Sequence, residues 1–220
     1  MKRFLPFGII LGVLLLTLAA GTFFFHFRRP PTPPPPESSA GKPGATPAHI
    51  RGPANAPVAL EEFGDFECMP CFVLWPILQN VKKDYGDRLS VTFRHHPLAH
   101  HRHARDAARA AEAAGLQGKF WEMHDSLYQN RSVWVRTLDV RSYFITYATY
   151  LGLDVARFKE DMDSEEVNRR ISLDEERGAS LKIDRTPVIL INGEQLSFSS
   201  NPDQDIRTAI DKALGAKTDG

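Results

Sequence analysis

The stretch ECMPCFVLWP, Glu67 to Pro76, holds both cysteines of a 220-residue chain, spaced C-x-x-C and running straight into apolar residues. Such a pair can be a redox couple, half of a metal site, or a small structural staple. The staple is the weakest of the three, because closing a four-residue loop restricts an unfolded chain little. A thiolate is the reactive form of cysteine, and the free N–H groups and positive dipole end of a helix start stabilise it. Cys68 falls just before a predicted helix and Cys71 one turn into it. The first sulfur is therefore expected to be an exposed nucleophile and the second its buried resolving partner.

Working outward, Val58 to Phe63 is a short apolar strand ending at Gly64-Asp65, and the cysteine helix should run to about Tyr85 and stop at Gly86-Asp87. Leu89 to Phe93 alternates and is rich in β-formers, so strand, helix and strand make the βαβ unit of a parallel sheet. From His103 to about Ile183 the apolar spacing is helical, in segments Ala104 to Ala114, Lys119 to Gln129, Leu138 to Leu151, Val155 to Met162 and Ser164 to Lys182. Val188 to Ile191 reads as a buried strand, and Asn192-Gly193 as a two-residue hairpin turn into a strand over Gln195 to Phe198. Pro202 to Leu214 closes with a helix whose first turn carries Asp203 and Asp205, matching the macrodipole. The fold class is α/β, with a helical block at about 99–183 inserted between two β portions of a domain covering 55–220.

The compartment decides which chemistry a C-x-x-C serves. Phe4 to Phe25 is an uncharged run of 22 residues between Lys2-Arg3 and Arg28-Arg29. As a helix it would be roughly 33 Å long, enough for a hydrocarbon core of about 30 Å. A cleaved signal peptide is the rival, given the small residues at Thr17 to Gly21. The apolar character continues through Phe23-Phe24-Phe25 to an Arg pair, so an uncleaved anchor over residues 1–29 is preferred. Either reading puts the remainder outside the cytoplasm. Residues 30–54, rich in Pro, Gly, Ser and Ala, read as a semi-rigid linker. Twenty-seven basic and 27 acidic side chains give a net charge of zero, so nothing electrostatic recommends nucleic acid as a partner.

Four stretches together resemble the DsbA-like branch of thiol-disulfide oxidoreductases, a thioredoxin fold with a helical insertion. They are Glu62 to Cys68, Phe93 to Leu98, Ala110 to Ala114 with Gln117 to Asp125, and Arg185 to Gly193. The resemblance implies Cys68 as nucleophile, Cys71 as resolving thiol, and Pro187 as a cis-proline that leaves the Thr186 backbone free to pair with an extended substrate beside Met69 and Pro70. It also implies a buried acid at Glu62, able to take the proton of Cys71. Adjacent strand residues face opposite ways, so of Glu61 and Glu62 one should point inward. The chain departs from the pattern at Met69-Pro70, where strong oxidants usually carry a histidine beside the second cysteine. It departs again at Glu67, whose charge is expected to raise the pKa of Cys68.

The expected function is that of an extracytoplasmic, membrane-tethered oxidoreductase, acting as a disulfide donor to cysteines of exported proteins. It is expected to work as a monomer, with no organic cofactor, no metal and a membrane redox partner that resets the pair. A thiol reductase, a peptide-binding folding helper and a zinc module are the alternatives. The zinc reading rests on His95, His96, His100, His101 and His103, which are otherwise expected to form a solvated loop. His124 is expected to be a helix-packing residue.

Overall fold

The protein is described here by a computed structural model over residues 41–215. The apolar run 4–25 and the proline-rich stretch 30–36 lie outside the described residues. Among the described residues, no helix is long and apolar enough to cross a membrane.

A five-stranded sheet in the order β1-β3-β2-β4-β5 forms the centre of the domain. Its strands are β1 (His49–Arg51), β2 (Val58–Gly64), β3 (Leu89–His95), β4 (Val188–Ile191) and β5 (Glu194–Gln195). Strands β2 and β3 run parallel, joined by helix α1 (Met69–Tyr85), while β1, β4 and β5 pair antiparallel to their neighbours. The hairpin from β4 to β5 turns at Asn192 and Gly193, both at positive φ (49° and 86°), a conformation that Asn and Gly adopt most readily. At the end of β2, a Cβ on Gly64 would lie 2.4 Å from the Phe93 ring, so only glycine lets that ring cross the strand.

Between β3 and β4 stand six helices: α2 (Ala104–Gly115), α3 (Phe120–Gln129), α4 (Arg131–Trp134), α5 (Val140–Tyr150), α6 (Val155–Met162) and α7 (Glu165–Ser180). Their shared core is built on the alanine face of α2, whose small side chains admit Met123, Leu127, Trp134, Phe144 and Phe158. Helix α8 (Pro202–Ala213) packs with α1 on one sheet face, burying Ile206 and Ile210 against Val58, Leu60 and Leu78. The architecture is the thioredoxin-like α/β fold with a helical insertion.

Three details differ from the sequence expectation. Residues 42–51, read as part of the linker, are fixed to the domain. The backbone carbonyls of Lys42, Pro43, Ala45 and Pro47 accept from Arg177, Arg94 and Arg170, and β1 then pairs with β3. The strand expected over Gln195 to Phe198 ends at Gln195, because Ser199 is drawn into the cap of α8 by Asp205. The short α4 adds one turn that closes over the core through the buried Trp134, whose indole donates to the Leu127 carbonyl at 2.7 Å.

Candidate active site

Helix α1 starts where the sequence places the cysteines. Cys68 is its N-cap, with extended backbone (φ −67°, ψ 126°), and Pro70 in the first turn lacks an N–H where none is needed. Ahead of it, Asp65 Oδ1 accepts the Glu67 amide at 2.7 Å, an Asx-turn that swings the chain from β2 into the helix. The second oxygen of Asp65 takes the Leu98 amide at 2.9 Å and His101 Nδ1 at 2.7 Å. Arg131, on α4, donates from Nε to the Glu67 carbonyl at 2.8 Å and again from Nη2. The backbone before Cys68 is thus held from both sides.

Both thiols are free, and Cys71 is fully buried. Cys68 is buried as well, at 4% exposure, which corrects the expectation of an exposed first sulfur. The loop before β4 covers it: the Thr186–Pro187 peptide is cis, and the Cys68 thiol donates to the Thr186 carbonyl at 3.4 Å. Met69 and Pro70 remain exposed beside the pair.

The two sulfurs ionise unequally. Cys68 is lowered to about 6, first by a hydrogen bond from the Cys71 thiol and, against opposing burial, by the Thr186 side chain. The buried Thr186 hydroxyl has no other partner and can donate once Cys68 is a thiolate. Cys71 is held well above its ordinary value by burial, by that same hydrogen bond and by Glu62. Glu67 does not act on Cys68 as expected. Its carboxylate turns away and accepts the His103 amide at 2.5 Å, just before α2, while the opposing charge near Cys68 is that of Asp65.

Glu62 lies on the face of β2 that carries Val58 and Leu60, toward α1. It is 3% exposed, and its pKa is raised to about 8 by burial first and then by the charge of Cys68. Glu61 takes the other face, where Arg94 and Arg177 grip it at 2.7 and 2.6 Å. The structure therefore brings Cys68, Cys71, Glu62, Thr186 and Pro187 into one site.

The histidine-rich segment is a solvated loop only in part, His100 being exposed and His96 and His101 half-buried. His95 and His103 are buried; His95 meets Glu112 at 3.0 Å and His103 meets the Thr137 carbonyl at 3.0 Å. Among the described residues, the group of His, Cys and acidic side chains near enough to share a metal ion is His95, Glu112 and Asp174, with neither cysteine in it. Its carboxylates are already engaged, Glu112 by Arg170 at 2.6 Å and Asp174 by Arg94 at 3.0 Å. Two contributors escaped the sequence reading. Arg131 offered no local signal, whereas Asp65 did, as an Asx residue two positions before an amide it caps.

Comparison with known proteins matches the thioredoxin family (Thioredoxin) over residues 45–212. Among curated proteins, Na(+)/H(+) antiporter NhaA 1 of Mycolicibacterium gilvum is 38% identical over 152 residues, 67% of this chain and 24% of that protein. The chain thus spans about a quarter of the length of the curated relatives it matches. Among solved structures, oxidised BdbD from Bacillus subtilis superposes with a TM-score of 0.68 at 24% identity, covering 81% of this chain and 99% of that one. Wolbachia pipientis alpha-DsbA1 gives 0.67 at 18% identity, covering 77% and 92%. At such identities the likeness is one of fold.

Proposed function

The chain belongs to the thioredoxin family, and from that premise we propose that it is a DsbA-type thiol-disulfide oxidoreductase whose working pair is Cys68 and Cys71. The observation that carries the reading is the geometry of the pair: Cys68 caps α1 and donates to the Thr186 carbonyl, Cys71 lies fully buried in the first turn, and Glu62 is buried with an oxygen that has no partner among the described residues. This arrangement lowers Cys68 to about 6 and raises Cys71. A low-pKa thiolate is both a nucleophile and a good leaving group.

In the oxidising direction, a client thiolate attacks Cys68 Sγ of the disulfide, and the Cys71 sulfur leaves and takes a proton from Glu62. A second client thiolate then attacks the client's sulfur in the mixed disulfide. Cys68 departs as thiolate, the client keeps its new disulfide, and two electrons have entered the pair. Thr186 and Pro187 line the bound client segment, with Met69 and Pro70 beside it. A membrane redox partner removes the two electrons and completes the cycle. No organic cofactor is required.

The apolar run 4–25 supports a membrane tether with the domain outside the cytoplasm. The clients are cysteines of exported proteins, and the protein acts as a monomer. Reduction of clients is the second reading. It is favoured by Pro70 and by a Cys68 pKa of about 6, nearer the roughly 7 of thioredoxin than the roughly 3.5 of DsbA.

The test is the reduction potential of the full chain, purified in detergent and equilibrated with graded glutathione buffers. A value nearer roughly −120 mV marks a disulfide donor and one nearer roughly −270 mV a reductant. Cys68→Ser should abolish client oxidation in the first case and client reduction in the second. Absence of a reversible couple overturns the proposal, and zinc copurifying in its place points to the zinc module.

A further inference from the structure

Six buried side-chain polar atoms have no hydrogen-bond partner among the described residues, and three of them belong to one small cavity. They are Glu62 Oε1, Trp121 Nε1 and His124 Nε2. The cavity, about 20 Å³, lies between the sheet and α1, with Leu78 and Val91 as apolar walls. Half-buried Arg51, Gln79 and Lys82 line it as well. Buried polar groups left unpaired are costly, so three converging on one space identify it as a place for a polar occupant.

The donor and acceptor inventory fixes what that occupant must offer. Asp125 Oδ1 meets His124 Nδ1 at 2.9 Å, and it also accepts from Trp75 Nε1 at 3.1 Å and Gln79 Nε2 at 2.7 Å. Asp125 Oδ2 takes Arg51 at 2.7 Å. With Asp125 ionised, Nδ1 carries the ring proton and Nε2 of the neutral ring presents a lone pair. Burial pushes the His124 pKa down to about 4, in keeping with a neutral ring. Trp121 Nε1 can only donate, and the Glu62 carboxylate accepts. A single water matches all three: it accepts from Trp121 and donates to Glu62 and His124. Three bonds are the usual complement of a buried water, and the cavity holds about one.

We propose that Trp121 and His124 are positioning residues that hold one water against Glu62, and that this water is the route by which the Cys71 proton passes between Glu62 and solvent. The inference rests on the oxidoreductase reading and deepens it. When Cys71 attacks a mixed disulfide on Cys68, its sulfur forms the new S–S bond and its proton goes to the Glu62 carboxylate, while the client sulfur leaves as thiolate. Glu62 then passes that one proton to the water, which releases one of its own toward solvent past Arg51 and Lys82, restoring the carboxylate and leaving the water neutral. The same steps run backwards supply the proton that Cys71 needs when the disulfide is opened. Other titratable groups facing this route are His95 on β3, Asp125 and Tyr128 on α3, and Cys68 itself.

The test uses the full chain carrying a glutathione mixed disulfide on Cys68 and follows the rate at which Cys71 resolves it across pH 5–9. Glu62→Gln should slow resolution by about a hundredfold, the lower range for loss of a general base. His124→Phe keeps the ring volume but deletes the acceptor. It should slow resolution about tenfold, the scale of one hydrogen bond to a charged group, and should shift the limb governed by Glu62. His124→Gln, with an amide acceptor, should recover most of the rate. The midpoint for alkylation of Cys68 should stay where it is in all three. A wild-type rate and pH profile in folded His124→Phe overturns the inference while leaving the oxidoreductase reading intact. If His124→Phe does not fold, Trp121→Phe, which removes one N–H and little volume, stands in its place with the same two outcomes. A wild type that forms no resolvable mixed disulfide overturns both.

Discussion

The ionisation of Cys68 predicts a bend in the pH dependence of the reduction potential. Reducing the disulfide adds two electrons, and each proton taken up with them changes the potential by about 30 mV per pH unit. Below the Cys68 pKa of about 6, both sulfurs bind protons on reduction and the slope is about 60 mV per pH unit. Above it Cys68 stays a thiolate, Cys71 alone takes a proton because its pKa is raised, and the slope falls to about 30 mV. At pH 7 the ionisation stabilises the dithiol by about 1.4 kcal/mol, making the pair about 30 mV more oxidising than one with an unshifted Cys68. Glu62 adds a correction of known sign. The Cys68 charge helps raise its pKa to about 8, and that charge disappears on oxidation, so some Glu62 protons are taken up with the electrons and steepen the slope below pH 8. Glu62→Gln removes the correction and should leave the bend at pH 6 clean. The assay equilibrates wild type and Glu62→Gln with glutathione buffers from pH 4.5 to 9 and counts reduced protein after acid quench and alkylation. A straight line of about 60 mV per pH unit up to pH 8.5 in Glu62→Gln would refute a lowered Cys68 and the proposed asymmetry with it.

Two further outcomes concern stability. Glu62 is an acid whose folded pKa lies above its unfolded value of 4.5, so folding loses stability as pH rises from 4.5 toward 8. The cost at pH 7 is at most about 3.4 kcal/mol, from 2.5 pKa units at about 1.36 kcal/mol each, and Glu62→Gln should therefore stabilise the reduced protein in urea more at pH 8 than at pH 5; an equal effect at both would contradict the raised pKa. Glu112 is the opposite case: burial opposes its charge, yet His49 and His95 hold its pKa well below 4.5, so its contribution is present above pH 4.5 and lost as pH falls through the lower folded value. Glu112→Gln leaves the Arg170 guanidinium buried without its carboxylate and should cost about 3–5 kcal/mol at pH 7, read by urea unfolding; a loss below about 1 kcal/mol would show the pair to be dispensable.

What was legible in the sequence was what short-range pattern encodes. The apolar run Val188 to Ile191 and the helix Val155 to Met162 carry their own periods and fall where expected. The site's sequence markers, C-x-x-C at a helix start and Thr186-Pro187 ahead of a buried strand, are local too. The fixed course of residues 42–51 was illegible because its cause is remote: a Pro- and Gly-rich stretch is ordered by Arg94, Arg170 and Arg177, which lie from about 50 to more than 120 positions away. Helix α4, four residues long, is shorter than any period that could announce it. The cavity is hidden for the same reason as the linker's order. Glu62 comes from β2, Trp121 and His124 from α3, and only the packing of α1 over the sheet encloses them. Taken alone, His124 is a packing residue; its unpaired nitrogen gains meaning from Glu62 across the cavity.

Glu61 and Glu62 carry the same side chain one position apart, and the pleat of β2 gives them opposite chemistry. Glu61 meets two guanidiniums, which overcome burial and hold it ionised, so it ties β2 to β3 and α7. Glu62 meets none, and burial holds it in the range where a carboxyl can exchange protons near neutral pH. A slip of one residue in the β2 register would carry Glu61 into the place of Glu62, away from its guanidiniums, and set Leu60 opposite Arg177, leaving that arginine without its carboxylate. The same slip would turn Val58 and Leu60 out of the core they share with α1. Hydrophobic burial along β2 therefore does more than stabilise the sheet: it selects which glutamate faces the thiols, and so sets the proton chemistry of the site.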